Sequence, residues 1–422
     1  MIGGLSTILC ISIFLTQNEQ GYFYTLNSLI ALQVFFELGL NLVIVQFTSH
    51  EMKHLQWGRD GALEGDEVAK VRIKSIARLV ALWFIVVSTI LIVIVIPGGI
   101  LFFQNHSDHE RPFLLNIIWA TTVVAVSVSM LINGLLALLE GCQTVSEANK
   151  VRSWMNLANI FGVCISLYAG FGLISVAVGA TLSLLIGIFR INKKFLKFYL
   201  FLFSEKPLKT TLNWKEEILP FQWRIALSWM SGYLAFQIYN PVIFKVDGPI
   251  SAGHMGMSLQ IIFAINGLTG AWITSKMPYF GTLISHNKYY ELNKLFKNLF
   301  IKSLSVNIMI VFIFCVSIYT AEIFDLNITK RLLSINNLII LSVSCVANHI
   351  TFCLACYMRA HLNEPLLKVS ILSGLLTFIL VLLIVPFYGV NSAVYIYFFN
   401  SVFVGLLGSI YVFKAHQRKI KI

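Results

Sequence analysis

Charge is scarce in this sequence. Only 12% of its 422 residues are Asp, Glu, Lys or Arg, about half of what an ordinary soluble domain carries. No soluble domain of useful size can be cut from it, and the longest polar stretch runs only from about 49 to 74. Glycine-rich nucleotide motifs are absent, and no P-loop or ATPase signature is present. The seven cysteines all lie in or beside apolar runs, which excludes a secreted disulfide framework. The first apolar run has no basic leader and no A-x-A-like site, so no cleavable signal peptide is expected.

What is present is apolar sequence: 57% hydrophobic residues and a mean hydropathy of +0.80. Twelve runs are long enough or nearly long enough to cross a bilayer: 2–16, 21–48, 75–103, 113–141, 152–171, 173–191, 218–245, 250–284, 298–320, 332–358, 364–386 and 389–413. This predicts an all-α polytopic membrane protein. Span 1 is short, rising about 22 Å against a core of about 30 Å. A missing N-terminal piece or a misplaced start is the expectation there.

The formal net charge is +12. Nucleic acid is not the expected partner, because the cations sit in short loops between apolar runs. With both termini cytoplasmic, the outside loops hold Arg111, Lys245, Lys330 and Arg331, and two cations lie within spans. The other 25 of the 31 Lys and Arg fall in inside loops. That asymmetry is the positive-inside rule and supports an even number of spans.

The two halves read as a repeat. EGCQTVSEANKVRS (140–153) ends span 4 and YMRAHLNEPLLKVS (357–370) ends span 10, pairing Glu147 with Glu364 and Ser153 with Ser370. Six spans separate the halves, which makes the repeat parallel, with its pseudo-two-fold axis along the membrane normal. The expected organisation is an N-terminal six-helix lobe (1–191), a basic cytoplasmic linker (192–217) and a C-terminal six-helix lobe (218–422). Loops 49–74 and 285–297 are expected to hold amphipathic interfacial helices, with YYELNKLFKNLF (289–300) near helical periodicity.

Two metal readings compete with bland ones. His50-Glu51-x-x-His54 fits the pattern of zinc proteases, but no distinctive third ligand is near and the stretch falls where span 2 leaves the bilayer. His349, Cys353 and Cys356 could share a helix face and hold a soft metal; ordinary packing of small thiols is the alternative. No metal and no cofactor is expected.

Charges inside spans say more, because they are costly in lipid and usually face water or a partner. Glu37 lies mid-span 2. Arg224 and Lys276 lie roughly 10–12 Å inside the cytoplasmic boundary of spans 7 and 8 by helical rise. Two cations at one depth suit an anionic group such as a diphosphate, the Arg bidentately and the Lys as a point charge. The alternatives are snorkelling to the interface or a salt bridge with Glu37. Gln33, Gln222, Gln237, Asn240, Asn266 and Asn348 also lie within spans; one by one they read as interhelical hydrogen bonds, together as a hydrated interior. Gln33, Glu37, Gln222, Arg224, Gln237, Asn240 and Lys276 are the candidate cavity residues.

EQGYFYTLNSLIALQVFFELGLNLVIVQF (19–47), PFQWRIALSWMSGYLAFQIYNPVIF (220–244) and AGHMGMSLQ (252–260) resemble bacterial polysaccharide-biosynthesis membrane proteins of the O-antigen flippase type. These belong to the multidrug, oligosaccharidyl-lipid and polysaccharide exporter superfamily. The resemblance runs over nearly the whole chain and rests on no short diagnostic motif. It implies two six-helix lobes forming a V, with a central cavity that opens alternately to either side. It implies flipping of an undecaprenyl-diphosphate-linked oligosaccharide across the inner membrane for surface polysaccharide assembly, without enzymatic chemistry. The implied partners are the lipid bilayer, the lipid-linked oligosaccharide and a coupling ion. An ion-coupled multidrug or small-cation exporter of the same superfamily is the alternative. It would want acidic cavity residues, of which Glu37 is the clear candidate. A membrane zinc protease is the remote one.

Overall fold

A computed structural model describes residues 2–58, 63–106, 112–203, 219–361 and 365–420. The expectations that rest on Arg59, on Arg111, on 204–217 of the basic linker and on Glu364 lie outside the described residues. Within them the chain is helical, as its hydropathy predicts. Among the described residues seven helical stretches are long and apolar enough to cross a membrane, and residues 17–54 add a broken one.

Two of those stretches, 222–284 and 367–418, have 63 and 52 residues, enough to cross twice at 1.5 Å per residue. Each contains the turn that lets it do so. In α10 (Tyr239–Thr274) the helix breaks at Gly248, φ +80°, followed by Pro249. In α14 (Leu367–Phe399) it breaks at Gly389, φ +63°. A positive φ of this kind is open to glycine at little cost. The Asp247 carboxylate accepts the Val390 N–H, so the residue before one break caps the helix that follows the other. With α1 (Ile2–Phe14) and α7 (Val145–Tyr168), the described helices cover all twelve apolar runs.

The chain forms two compact units, one of residues 29–230 and one of 1–28 with 231–422. In the first, α5 (Glu67–His106) packs on α6 (Pro112–Gly141). Ser88 Oγ donates to the Ser127 carbonyl at 2.7 Å, and a Cβ on Gly134 would lie 2.5 Å from the Phe84 ring. α7 meets α8 (Ile174–Phe203) through Gly162 and Gly179, whose added Cβ would come within 3.0 Å of the facing backbone. Small residues at helix crossings are how backbones approach where lipid removes the hydrophobic drive. In the second unit Ile273, Phe280, Leu292, Phe296, Cys353 and Tyr357 form a buried apolar cluster. Apolar side chains such as Leu82, Phe312 and Leu383 are more than 60% exposed; a bilayer would cover them.

Two loop expectations are corrected. The described part of 49–74 holds a hairpin, β1 (Leu55–Trp57) antiparallel to β2 (Leu63–Gly65), and its helical residues from Glu67 on are the opening turns of α5 rather than a separate interfacial helix. Trp57 pins the hairpin, donating from Nε1 to the Cys142 carbonyl at 2.8 Å and packing on Phe198 at 5.0 Å. Residues 289–300 are not a separate surface helix either. They are the opening turns of α12 (Tyr289–Ile323), because no breaker separates them from span 9; Leu292 and Phe296 are buried in the apolar cluster while Tyr290 is exposed.

Candidate functional site

Span 2 is discontinuous. α2 (Gln17–Ile30) passes through a 3-10 turn, Ala31–Gln33, into the single turn α3 (Val34–Glu37). Leu38 and Gly39 are then both left-handed, φ +49° and +64°, before α4 (Leu40–Glu51) resumes. Left-handed Leu is costly for an L-residue with a branched chain, by about 1 kcal/mol or more. Broken membrane helices free backbone groups and commonly mark ligand positions. A Cβ on Gly39 would meet Ile225 at 2.3 Å, so α9 (Leu219–Phe236) lies directly against the break. Its Gln222 is 2% exposed, and among the described residues neither amide atom has a partner. Its Arg224 is exposed and Glu37 half-buried. Thus the unit 29–230 brings Gln33, Glu37, Gln222 and Arg224 to α9 and the adjoining broken span. Among the described residues no ion pair joins Glu37 to Arg224, so the salt-bridge alternative for Arg224 is not the one adopted.

Gln237, Asn240 and Lys276 belong to the other unit. Gln237 and Asn240 converge on Ser28: the Asn240 amide donates to Ser28 Oγ at 3.0 Å, and that hydroxyl donates to Gln237 Oε1 at 3.4 Å. Tyr233 adds a bond to the Ser28 carbonyl at 3.2 Å. Lys276 caps the N-terminus of α11 (Met277–Ser285) at the junction with α10. Its side chain is exposed.

The stretch Gln20–Tyr24 of α2 packs on α10 more closely than any side chain would allow. A Cβ on Gly21 would fall on the Pro249 carbonyl oxygen, and one on Gly256 would lie 2.5 Å from Tyr24. Gly253 faces Gly21 in the same way. Between them Gln20, fully buried, donates to the carbonyls of Gly253 and Arg331 at 3.0 Å each and accepts from Arg331 Nη1 at 3.2 Å. The pairs advance three residues along both helices, from Gly21 against Gly253 to Tyr24 against Gly256.

Sequence reasoning missed Ser28, Arg331 and a cavity of about 130 Å³ lined by Ser231, Phe236, Asn348, Thr351, Ser370 and Asn400. The signal was a density of hydroxyl and amide residues inside apolar runs. Asn400 opens a π-helical turn, Asn400–Leu406, of a kind that recurs at functional sites.

The two metal readings resolve differently. Glu51 is paired with Arg72, Oε1 to Nε 2.9 Å, while His50 is largely exposed beside it. A carboxylate held in that pair is not free to act as a base. His349 is engaged by two hydroxyls, Thr269 and Ser303, with Cys353 Sγ more distant at 3.5 Å. Burial pushes the Cys142 thiol up to about 12, and burial holds His361 below the usual imidazole range.

No family model and no curated protein matches the sequence. Solved structures do. An inward-facing multidrug resistance transporter of the MATE family, in the MOP superfamily, aligns over 98% of both chains with a TM-score of 0.66 at 15% identity. The lipid II flippase MurJ in an inward closed conformation aligns over 98% of this chain and 85% of its own, TM-score 0.64, 15% identity. A MOP superfamily transporter from Pyrococcus furiosus, noted for reversed polarity of its binding pocket, aligns over 100% and 92%, TM-score 0.57, 14% identity. The chain has the fold of these transporters.

Proposed function

We propose that this chain is a membrane transporter that flips a polyprenyl-diphosphate-linked oligosaccharide across a bacterial inner membrane, by alternating access between an N-terminal lobe (1–191) and a C-terminal lobe (218–422) joined by the basic segment 192–217. The observation that carries the substrate class is the pair of cations within spans. Arg224 and Lys276 are exposed and, among the described residues, neither has a carboxylate partner. A cation placed within a span and left without a counter-charge suits an anion that arrives from elsewhere. A diphosphate with its sugars cannot cross hydrocarbon alone, since stripping its charges and hydroxyls of water is prohibitive. A polar crevice replaces that water while the polyprenyl tail stays in lipid. Both cations hold the diphosphate, and Gln33, Gln222, Gln237 and Asn240 offer amides to sugar hydroxyls. No bond is made or broken.

The glycine seam supports the alternating-access part. On the proposed topology it joins the outer ends of spans 2 and 8, and parting it is the outward-opening step. Both termini are then cytoplasmic. In a reconstituted flipping assay with the lipid-linked substrate, Arg224→Ala and Lys276→Ala should each lower the rate at least tenfold, a loss of about 1.4 kcal/mol of stabilisation, with the protein still inserted. Full activity in both variants refutes the assignment. The second reading, an ion-coupled exporter of drugs or small cations, is favoured by Glu37 at the helix break; there Glu37→Gln would abolish export and the cationic variants would not.

A further inference from the structure

Fully buried His349 sits in a closed polar network between α10, α12 and α13 (Ile335–Arg359). Its Nδ1 is 3.1 Å from Thr269 Oγ1 and its Nε2 is 2.8 Å from Ser303 Oγ. The hydrogens can be counted. Thr269 donates its hydroxyl to the Ile265 carbonyl at 2.9 Å and accepts from Asn307 Nδ2 at 3.0 Å. In that arrangement it accepts from His349, which places a proton on Nδ1. Asn307 also donates to Asn266 Oδ1 at 3.2 Å, and Cys345 Sγ lies 3.3 Å from that oxygen, so Asn266 keeps the amide in place.

Ser303 is the variable member. Its hydroxyl lies 2.8 Å from His349 Nε2 and 2.7 Å from the Thr269 carbonyl. With the ring neutral, Ser303 donates to Nε2. With the ring protonated, Nε2–H donates to Ser303 Oγ, and the hydroxyl turns to the Thr269 carbonyl. Either state satisfies every polar atom of the ring with the same heavy-atom positions. One O–H rotation separates them. A histidine kept only for packing needs one satisfied tautomer, not two satisfied protonation states.

We propose that His349 is a proton-binding site, and that the proton it takes up and releases is the coupling ion of this chain; the coupling half rests on the transporter reading above. Water on either side supplies and receives the proton: Nε2 gains or loses it, and no other bond changes. The titratable groups facing the ring are thiols only, Cys353 directly and Cys345 through Asn266. Every Lys, Arg, Asp and Glu on α10 to α15 whose side chain is described is exposed, so none is buried beside it. Protonation therefore adds a net charge to the interior of the unit. Any motion that admits water between α10, α12 and α13 changes the proton affinity, and by linkage the proton biases that motion.

The test is a titration of the full-length protein with 15N-labelled histidine in lipid nanodiscs, His349→Gln identifying the ring resonances by their loss. The proposal expects a neutral Nδ1–H tautomer at alkaline pH whose Nε2 signal shifts to the imidazolium position on acidification. Ser303→Ala, which keeps the ring, should shift the midpoint. For coupling, labelling of Ser28→Cys by an impermeant maleimide, normalised to Tyr388→Cys on the exposed outer loop, should change with outside pH, and His349→Gln should remove that change. A ring that stays neutral at every pH where the protein remains folded overturns the proton site. A titrating ring with pH-independent labelling overturns the coupling role. Neither result depends on which substrate is carried.

Discussion

Gly21 shows how much one missing side chain decides. The Pro249 carbonyl occupies the place of its Cβ, so α2 and α10 touch through backbone. Gly21→Leu should force the seam apart, costing 1 to 3 kcal/mol on the order of an overpacked core site. The check is thiol labelling of Ser28→Cys from outside, which should accelerate in the Leu variant. Cys142 makes the opposite case. With its thiol pushed up to about 12 by burial, it should resist maleimide at pH 8 in folded protein and react on denaturation, because the thiolate is the nucleophile. His361 has its pKa lowered from 6.5, burial being the main cause. The unfolded chain then binds a proton more readily than the folded one. The stability it contributes is present above about pH 6.5 and is lost as pH falls through the lowered folded value. His361→Gln should therefore lose less thermal stability than the wild type between pH 7.5 and 5.5.

At the scale of elements, the breaks matter more than the helices. Gly248 and Gly389 turn two over-long helices into pairs of spans, and Asp247 ties one break to the other. Asp247→Ala should remove the cap on Val390 and cost about 1 kcal/mol, read as a lower unfolding temperature with unchanged helical content. The helices were legible because apolar runs of 20 residues have few alternatives in lipid. The interruption at Leu38 and Gly39 was not. A left-handed Leu carries no sequence signature, and a single Gly39 inside an apolar run does not by itself announce a break. The hairpin at Leu55–Gly65 was hidden for a related reason: three-residue strands are too short to show a period, and what holds them is a distant carbonyl on Cys142. Of the candidate residues, Arg224, Lys276 and Glu37 stood out because charge in a span is rare. Ser28 and Ser303 did not, since a single hydroxyl in an apolar run is common.

At the scale of the whole molecule, the proposed function is that of a transporter that makes and breaks no bond and moves an anionic glycan carrier past the glycine seam. Its energetics lie in what the crevice substitutes for water and in which side is open. The most direct measurement is deletion of the gene in its native strain, followed by quantitation of surface polysaccharide and of the lipid-linked intermediates on each leaflet. The account predicts loss of the surface polymer with full-length lipid-linked repeats accumulating on the cytoplasmic face, restored by the wild-type chain and not by the Arg224→Ala, Lys276→Ala double variant. Normal polymer with altered tolerance to cationic drugs would contradict it.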